Sequence, residues 1–97
     1  MDIKKSFGKS LRAVRKARGL SQEDFYIASS RTYLSTLERG LKSPTLDKID
    51  SLADRMDIHP ITLLTLTYLG ASNDSDPSVL LKRIKDEINE IVKSLKK

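Results

Sequence analysis

The chain contains no cysteine and no tryptophan, a single histidine, and only three tyrosines and two phenylalanines. Without cysteine there are no disulfides and no thiolate metal sites. The one histidine, His59, stands directly before Pro60, where it reads as a helix cap and not as a catalytic base. The four glycines do not form a phosphate-cradling loop, and no cluster of residues has metal-ligand spacing. Catalysis, a cofactor and a bound metal are therefore not expected. So few aromatic rings also leave no stacking platform for single-stranded RNA. No apolar run approaches the roughly 18 residues that a membrane span requires. The N-terminus is charged and lacks a secretory apolar stretch, so a cytoplasmic protein is expected. Ninety-seven residues suit one small domain with an appendage and leave no separate effector domain, so no small-molecule effector is expected.

Basic residues, by contrast, are plentiful and unevenly placed. The chain carries a formal net charge of +5. Residues 1–43 hold ten Lys/Arg against four acids, whereas residues 44–97 hold eight against nine. The positive excess belongs to the first half, as phosphate binding requires; a merely solvated basic surface is the plainer alternative.

The apolar residues repeat at helical spacing throughout. Ile3, Phe7, Leu11 and Val14 form a stripe within residues 2–18, closed by Gly19 after the basic Arg15-Lys16-Ala17-Arg18. Pro44-Thr45 introduces a helix in which Leu46, Ile49, Leu52, Ala53 and Met56 are expected to face inward. Residues 60–69 carry Ile61, Leu63, Leu64, Leu66 and Leu69, a helix apolar nearly all round. Such a helix is either deeply buried or shared with a partner. Gly70 to Asp76 (GASNDSD) is a polar, turn-rich linker. A final helix follows, with Leu81, Ile84, Ile88, Ile91 and Leu95 on a heptad seam flanked by Leu80 and Val92. This seam is the expected dimer interface; packing back onto its own domain is the alternative. The chain thus divides into a domain over 1–69, a linker over 70–77 and a C-terminal amphipathic helix over 78–97.

One stretch organises the rest: Ser21 to Gly40, SQEDFYIASSRTYLSTLERG. Ser21 with Asp24 three residues on resembles a capping box and starts a short helix over about 22–27. In that helix Phe25 and one of Tyr26 or Ile27 turn inward. A second helix, about 30–39, places Leu34 and Leu37 on one face and Arg31, Thr32, Ser35 and Thr36 on the other. Two short helices with almost no spacer cross steeply and leave one face of the second pointing outward.

RKARGLSQED (Arg15 to Asp24), SRTYLSTLERG (Ser30 to Gly40) and KSPTLDKIDSLA (Lys42 to Ala53), in that order and spacing, resemble the lambda-repressor-like, Xre-type helix-turn-helix family over about Phe7 to Leu69. The stretch is shorter than the usual pattern by about two residues, and its turn, Ile27-Ala28-Ser29, has no glycine. The resemblance implies an all-α, five-helix DNA-binding domain. It further implies that Arg31, Thr32, Ser35 and Thr36 enter the major groove as base readers, with Arg31 the most informative through its planar fork. For Ser35 and Thr36 plain solvent exposure is the alternative. Gln22, Ser30, Arg39, Lys42 and Ser43 are expected on phosphates. Tyr33 is counted with them, although packing at the helix junction is also open to it. Arg15 and Glu38 occupy positions that pair in a number of family members and are expected to form a structural ion pair.

The leading expectation is a sequence-specific regulator of double-stranded DNA, a repressor acting as a homodimer on a palindromic operator. The alternative is an antitoxin or adaptor that binds another protein through residues 60–69 and the C-terminal helix. RNA binding by the same basic face ranks last.

Overall fold

The computed structural model describes residues 2–25, 30–73 and 76–96, together with the backbone but not the side chain of Arg31. Five α-helices follow in order: α1 (Ile3–Ala17), α2 (Arg31–Glu38), α3 (Leu46–Arg55), α4 (Pro60–Ala71) and α5 (Ser78–Leu95). A 3₁₀ turn, Gln22–Phe25, lies between α1 and α2. No strand occurs among the described residues.

Capping side chains start the helices where the sequence places short polar residues. Asp2, Ser30 and Thr45 each accept a hydrogen bond from the backbone N–H three residues on, at 3.1–3.2 Å. His59 caps α4 with its ring, one residue closer: Nδ1 accepts from the Ile61 N–H two residues on at 3.0 Å, with Pro60 in the first turn.

Phe7, Leu11, Phe25, Leu34, Leu37, Ile49, Leu52, Met56 and Leu63 form one buried cluster drawn from α1, the 3₁₀ turn, α2, α3 and α4. Val14, Leu20, Tyr33, Ile58 and Leu64 pack against it. α1 runs through the centre, packed on α4 along one side and on α2 along the other. Two glycines set how closely α2 meets it. A Cβ on Gly8 would stand 2.5 Å from the Leu37 carbonyl oxygen, so only a glycine lets α1 touch the end of α2. Gly40 ends α2 at φ +73°, and a Cβ there would stand 2.8 Å from the Lys5 Cα. On the far side of α1, the buried Ser6 hydroxyl donates to the Thr67 carbonyl of α4 at 2.5 Å.

Three expectations change. Leu46 is not a core residue: it opens α3 beside the loop and is 80% exposed. A helix's first residue projects past the neighbours that its later turns reach. The described part of the first helix of the pair, Gln22–Phe25, is 3₁₀ rather than α-helical; Tyr26, Ile27 and the turn at Ala28-Ser29 lie outside the described residues. Residues 60–71, expected to be deeply buried or shared with a partner, are not buried all round in the single chain. Leu63, Thr67 and Leu69 face the core while Ile61, Leu66 and Tyr68 face solvent. That helix carries no charged residue on any side.

α5 stands apart. None of its residues is buried, and Val79, Leu81, Ile88, Ile91, Val92 and Leu95 are all exposed.

Candidate nucleic-acid interface

The candidate surface is the outer face of α2. Its eight residues, RTYLSTLE, form a helix because Ser30 caps the start and Gly40 supplies the left-handed turn at the end. Leu34 and Leu37 are fully buried and fix its rotation. On the opposite side Thr32 is exposed, and Ser35 and Thr36 are half-buried. Arg31 is the first residue of α2; its side chain lies outside the described residues. The Thr36 hydroxyl donates to the Thr32 carbonyl at 2.7 Å, which leaves its oxygen to act as an acceptor.

The rotation and tilt of α2 are held at its end by a hydrogen-bonded cluster. Arg15 of α1 grips Glu38 with two bonds, Nε to Oε2 at 2.7 Å and the second terminal nitrogen to Oε1 at 3.0 Å. Its remaining terminal nitrogen donates to the Leu20 carbonyl at 3.0 Å. The two side chains are only 10% and 5% exposed. Hydrogen bonding to Glu38 raises the Arg15 pKa above its ordinary value; burial opposes this, and the nearby carboxylate charge adds to it. Gln22 joins the cluster, donating its side-chain N–H to Glu38 Oε1 at 3.2 Å. The cluster therefore ties α1, the 3₁₀ turn and α2 at one point.

It has an electrostatic consequence. Glu38 is the only acid in α2. Neutralised and hidden from solvent, it presents no negative charge to an approaching phosphate backbone. Sequence spacing alone does not reveal this use of Gln22. Gln22 opens the 3₁₀ turn Gln22–Phe25, and its side-chain amide is engaged with Glu38.

The remaining candidates surround α2. Ser30 is exposed, with its oxygen committed to the cap. Tyr33 is half-buried against the core, with the Lys48 ammonium of α3 5.4 Å from its ring centroid. Arg39, Lys42 and Ser43 are exposed just past the end of α2. The 3₁₀ turn is braced from two directions. Asp24 Oδ2 accepts from Ser21 N–H at 2.7 Å and from the Ser21 hydroxyl at 3.1 Å, and Arg55 Nε donates to the Asp24 carbonyl at 2.7 Å. The hydrogen bonds from Ser21, chiefly the backbone one, lower the Asp24 pKa, and Arg55 acts in the same direction. No group of three His, Asp or Glu among the described residues could hold a metal ion. No helix among them is long and apolar enough to cross a membrane.

The helix-turn-helix family matches residues 11–63. An uncharacterized HTH-type transcriptional regulator, y4dJ of Sinorhizobium fredii, is 36% identical over 69 residues, covering 69% of this chain and 90% of its own. The control protein C.BamHI of Bacillus amyloliquefaciens is 33% identical over 72 residues, 71% of this chain and 89% of its own. The crystal structure of the restriction-modification controller protein C.AhdI of Aeromonas hydrophila matches with a TM-score of 0.58 and 39% identity, over 61% of this chain and 92% of that one. ClgR, the clp gene regulator of Corynebacterium glutamicum, matches with a TM-score of 0.65 over 93% of this chain and 89% of that one; at 21% identity it supports the fold alone. The chain belongs to the helix-turn-helix family, the Xre-type, lambda-repressor-like DNA-binding transcriptional regulators, and these are not enzymes. The family match ends within α4, so α5 lies beyond it.

Proposed function

We propose that the protein is a cytoplasmic, sequence-specific repressor that binds a palindromic operator as a homodimer, with α2 of each subunit in the major groove. The observation that carries this reading is the division of α2. Leu34 and Leu37 are buried, Glu38 is sequestered by Arg15, and the opposite face offers hydroxyls and no carboxylate. Arg31, Thr32, Ser35 and Thr36 read the bases. Arg31 makes the two-pronged contact with a guanine edge, and the acceptor oxygen of Thr36 suits the amino group of an adenine or cytosine. Ser30, Tyr33, Arg39, Lys42 and Ser43 hold phosphates on either side and set the register, and Gln22 keeps α2 in place beside them. Two copies related by a two-fold axis put their α2 helices in successive major grooves, roughly 34 Å apart.

Selection of sites from random duplex DNA by the purified protein tests the reading. An inverted-repeat consensus is expected, and binding without sequence preference would refute it. Arg31→Ala should relax preference at one base pair per half-site and weaken binding by about 1–3 kcal/mol. Arg39→Ala should weaken binding to all duplexes alike and lower the slope of affinity against salt by about one.

A further inference from the structure

A groove of about 620 Å³ runs along α4 and ends against the start of α5. Ile61, Thr62, Thr65, Leu66 and Leu69 form its floor and Leu81 its far wall. Two features make it unlike an ordinary surface crease. It has no charge, since α4 contains none, and interface centres are depleted in charge. It is also continuous, through Leu81, with the apolar face of α5, whose exposed Ile88, Ile91 and Leu95 extend beyond it.

That face widens beyond a two-stranded seam near each end. A two-stranded coiled coil needs apolar residues at two heptad positions only, whereas a helix inside a bundle shows three of seven. With Leu81, Ile84, Ile88, Ile91 and Leu95 at positions a and d, Leu80 falls at g and Val92 at e. Leucine or isoleucine at a with isoleucine at d also favours more than two helices. Lys85 at e and Glu87 at g border this face, whereas Lys82, Arg83, Asp86, Glu90 and Lys93 lie at b, c and f on the far side. Lys82–Asp86 pair at 2.8 Å and Arg83–Glu87 at 3.3 Å along the helix. The lengths fit as well. Twelve residues of α4 span about 18 Å and eighteen of α5 about 27 Å, so one α5 can cover the groove and still meet a second α5.

We propose that the groove between α4 and α5 is filled by α5 of a second copy, so that α4 and α5 of two chains close into one four-helix bundle. This rests on the homodimer reading and specifies which surfaces form it: each α5 lies against the partner's α4 as well as the partner's α5.

Light scattering on the full chain and on two variants tests it, with circular dichroism as the check on folding. Leu66→Arg charges the groove and Ile88→Arg charges the α5 face; both side chains are exposed in the single chain, 39% and 54%, so helicity should not change. The expected result is a dimer for the parent chain and the 10.9 kDa monomer for both variants. Because the chain has no cysteine, a Leu66→Cys chain mixed with an Ile84→Cys, Ile88→Cys or Ile91→Cys chain should also give a disulfide-linked pair with at least one of the three. If Leu66→Arg remains a dimer and no such pair forms, the groove proposal is overturned while the homodimer stands. A monomeric parent chain overturns both and leaves the surface to a different protein.

Discussion

Two sets of ion pairs in this molecule look alike in distance and differ in everything else. Arg15 and Glu38 join residues 23 apart in sequence, are almost sealed from solvent, and carry a second hydrogen bond between them and a third from Gln22. Lys82–Asp86 and Arg83–Glu87 join neighbouring turns of α5, with all four side chains more than half exposed. Water screens the second set and competes for each partner, so those pairs lend α5 a few tenths of a kcal/mol each. The first set is shielded, and removing one partner strands the other. The lesson is positional: the same chemistry defines tertiary geometry at α2 and merely decorates the surface at α5.

The strongest way to break that comparison is Glu38→Ala. It leaves the Arg15 guanidinium with one backbone acceptor in a nearly closed site and should cost about 3–5 kcal/mol in urea unfolding. DNA affinity should fall with it, because α2 loses its anchor. Glu90→Ala, fully on the surface, should change stability by less than about 0.5 kcal/mol; equal effects of the two would remove the distinction. Next comes Gly8→Ala, which asks whether close helix contact or the ion pair positions α2. The added methyl meets backbone oxygen that cannot step aside, and a loss of about 1–3 kcal/mol is expected in the same unfolding assay. Asp86→Ala should be the smallest effect among the ion-pair variants, about 0.5 kcal/mol or less in thermal unfolding, and smaller still at high salt.

A pH series sharpens the contrast further. The Asp24 pKa is lowered on folding, so its ionised form stabilises the folded chain above the ordinary carboxylate range. That contribution disappears as the pH falls through the lowered value. Asp24→Asn should therefore be less stable than the parent at neutral pH, with the gap closing in acid. Arg15 is shifted upward from an already high value, so its own proton stays bound from neutral into alkaline pH and contributes no titration of its own there.

Much of α2 was legible beforehand. Ser30 as cap, Leu34 and Leu37 as the inward face and Gly40 as the stop all follow from spacing and from which residues satisfy exposed backbone groups. Leu46 shows where that method fails. Helical periodicity places it with Ile49 and Leu52, but periodicity says nothing of how far a neighbouring element extends, and no neighbour covers the first turn of α3. Gly8 shows the opposite failure. A glycine inside a helix reads as a weakness until a second backbone is found against it.

The α-helices, their caps, the inward face of α2 and the positive excess of residues 1–43 follow from local pattern and composition, because they depend on residues within a few positions of one another. That Gln22 turns to Glu38, that α4 keeps one apolar side uncovered and that no α5 residue is fully buried in a single chain emerges only from the assembled fold. Those outcomes depend on which surfaces meet across long stretches of chain, and local pattern carries no information about a surface's eventual neighbour.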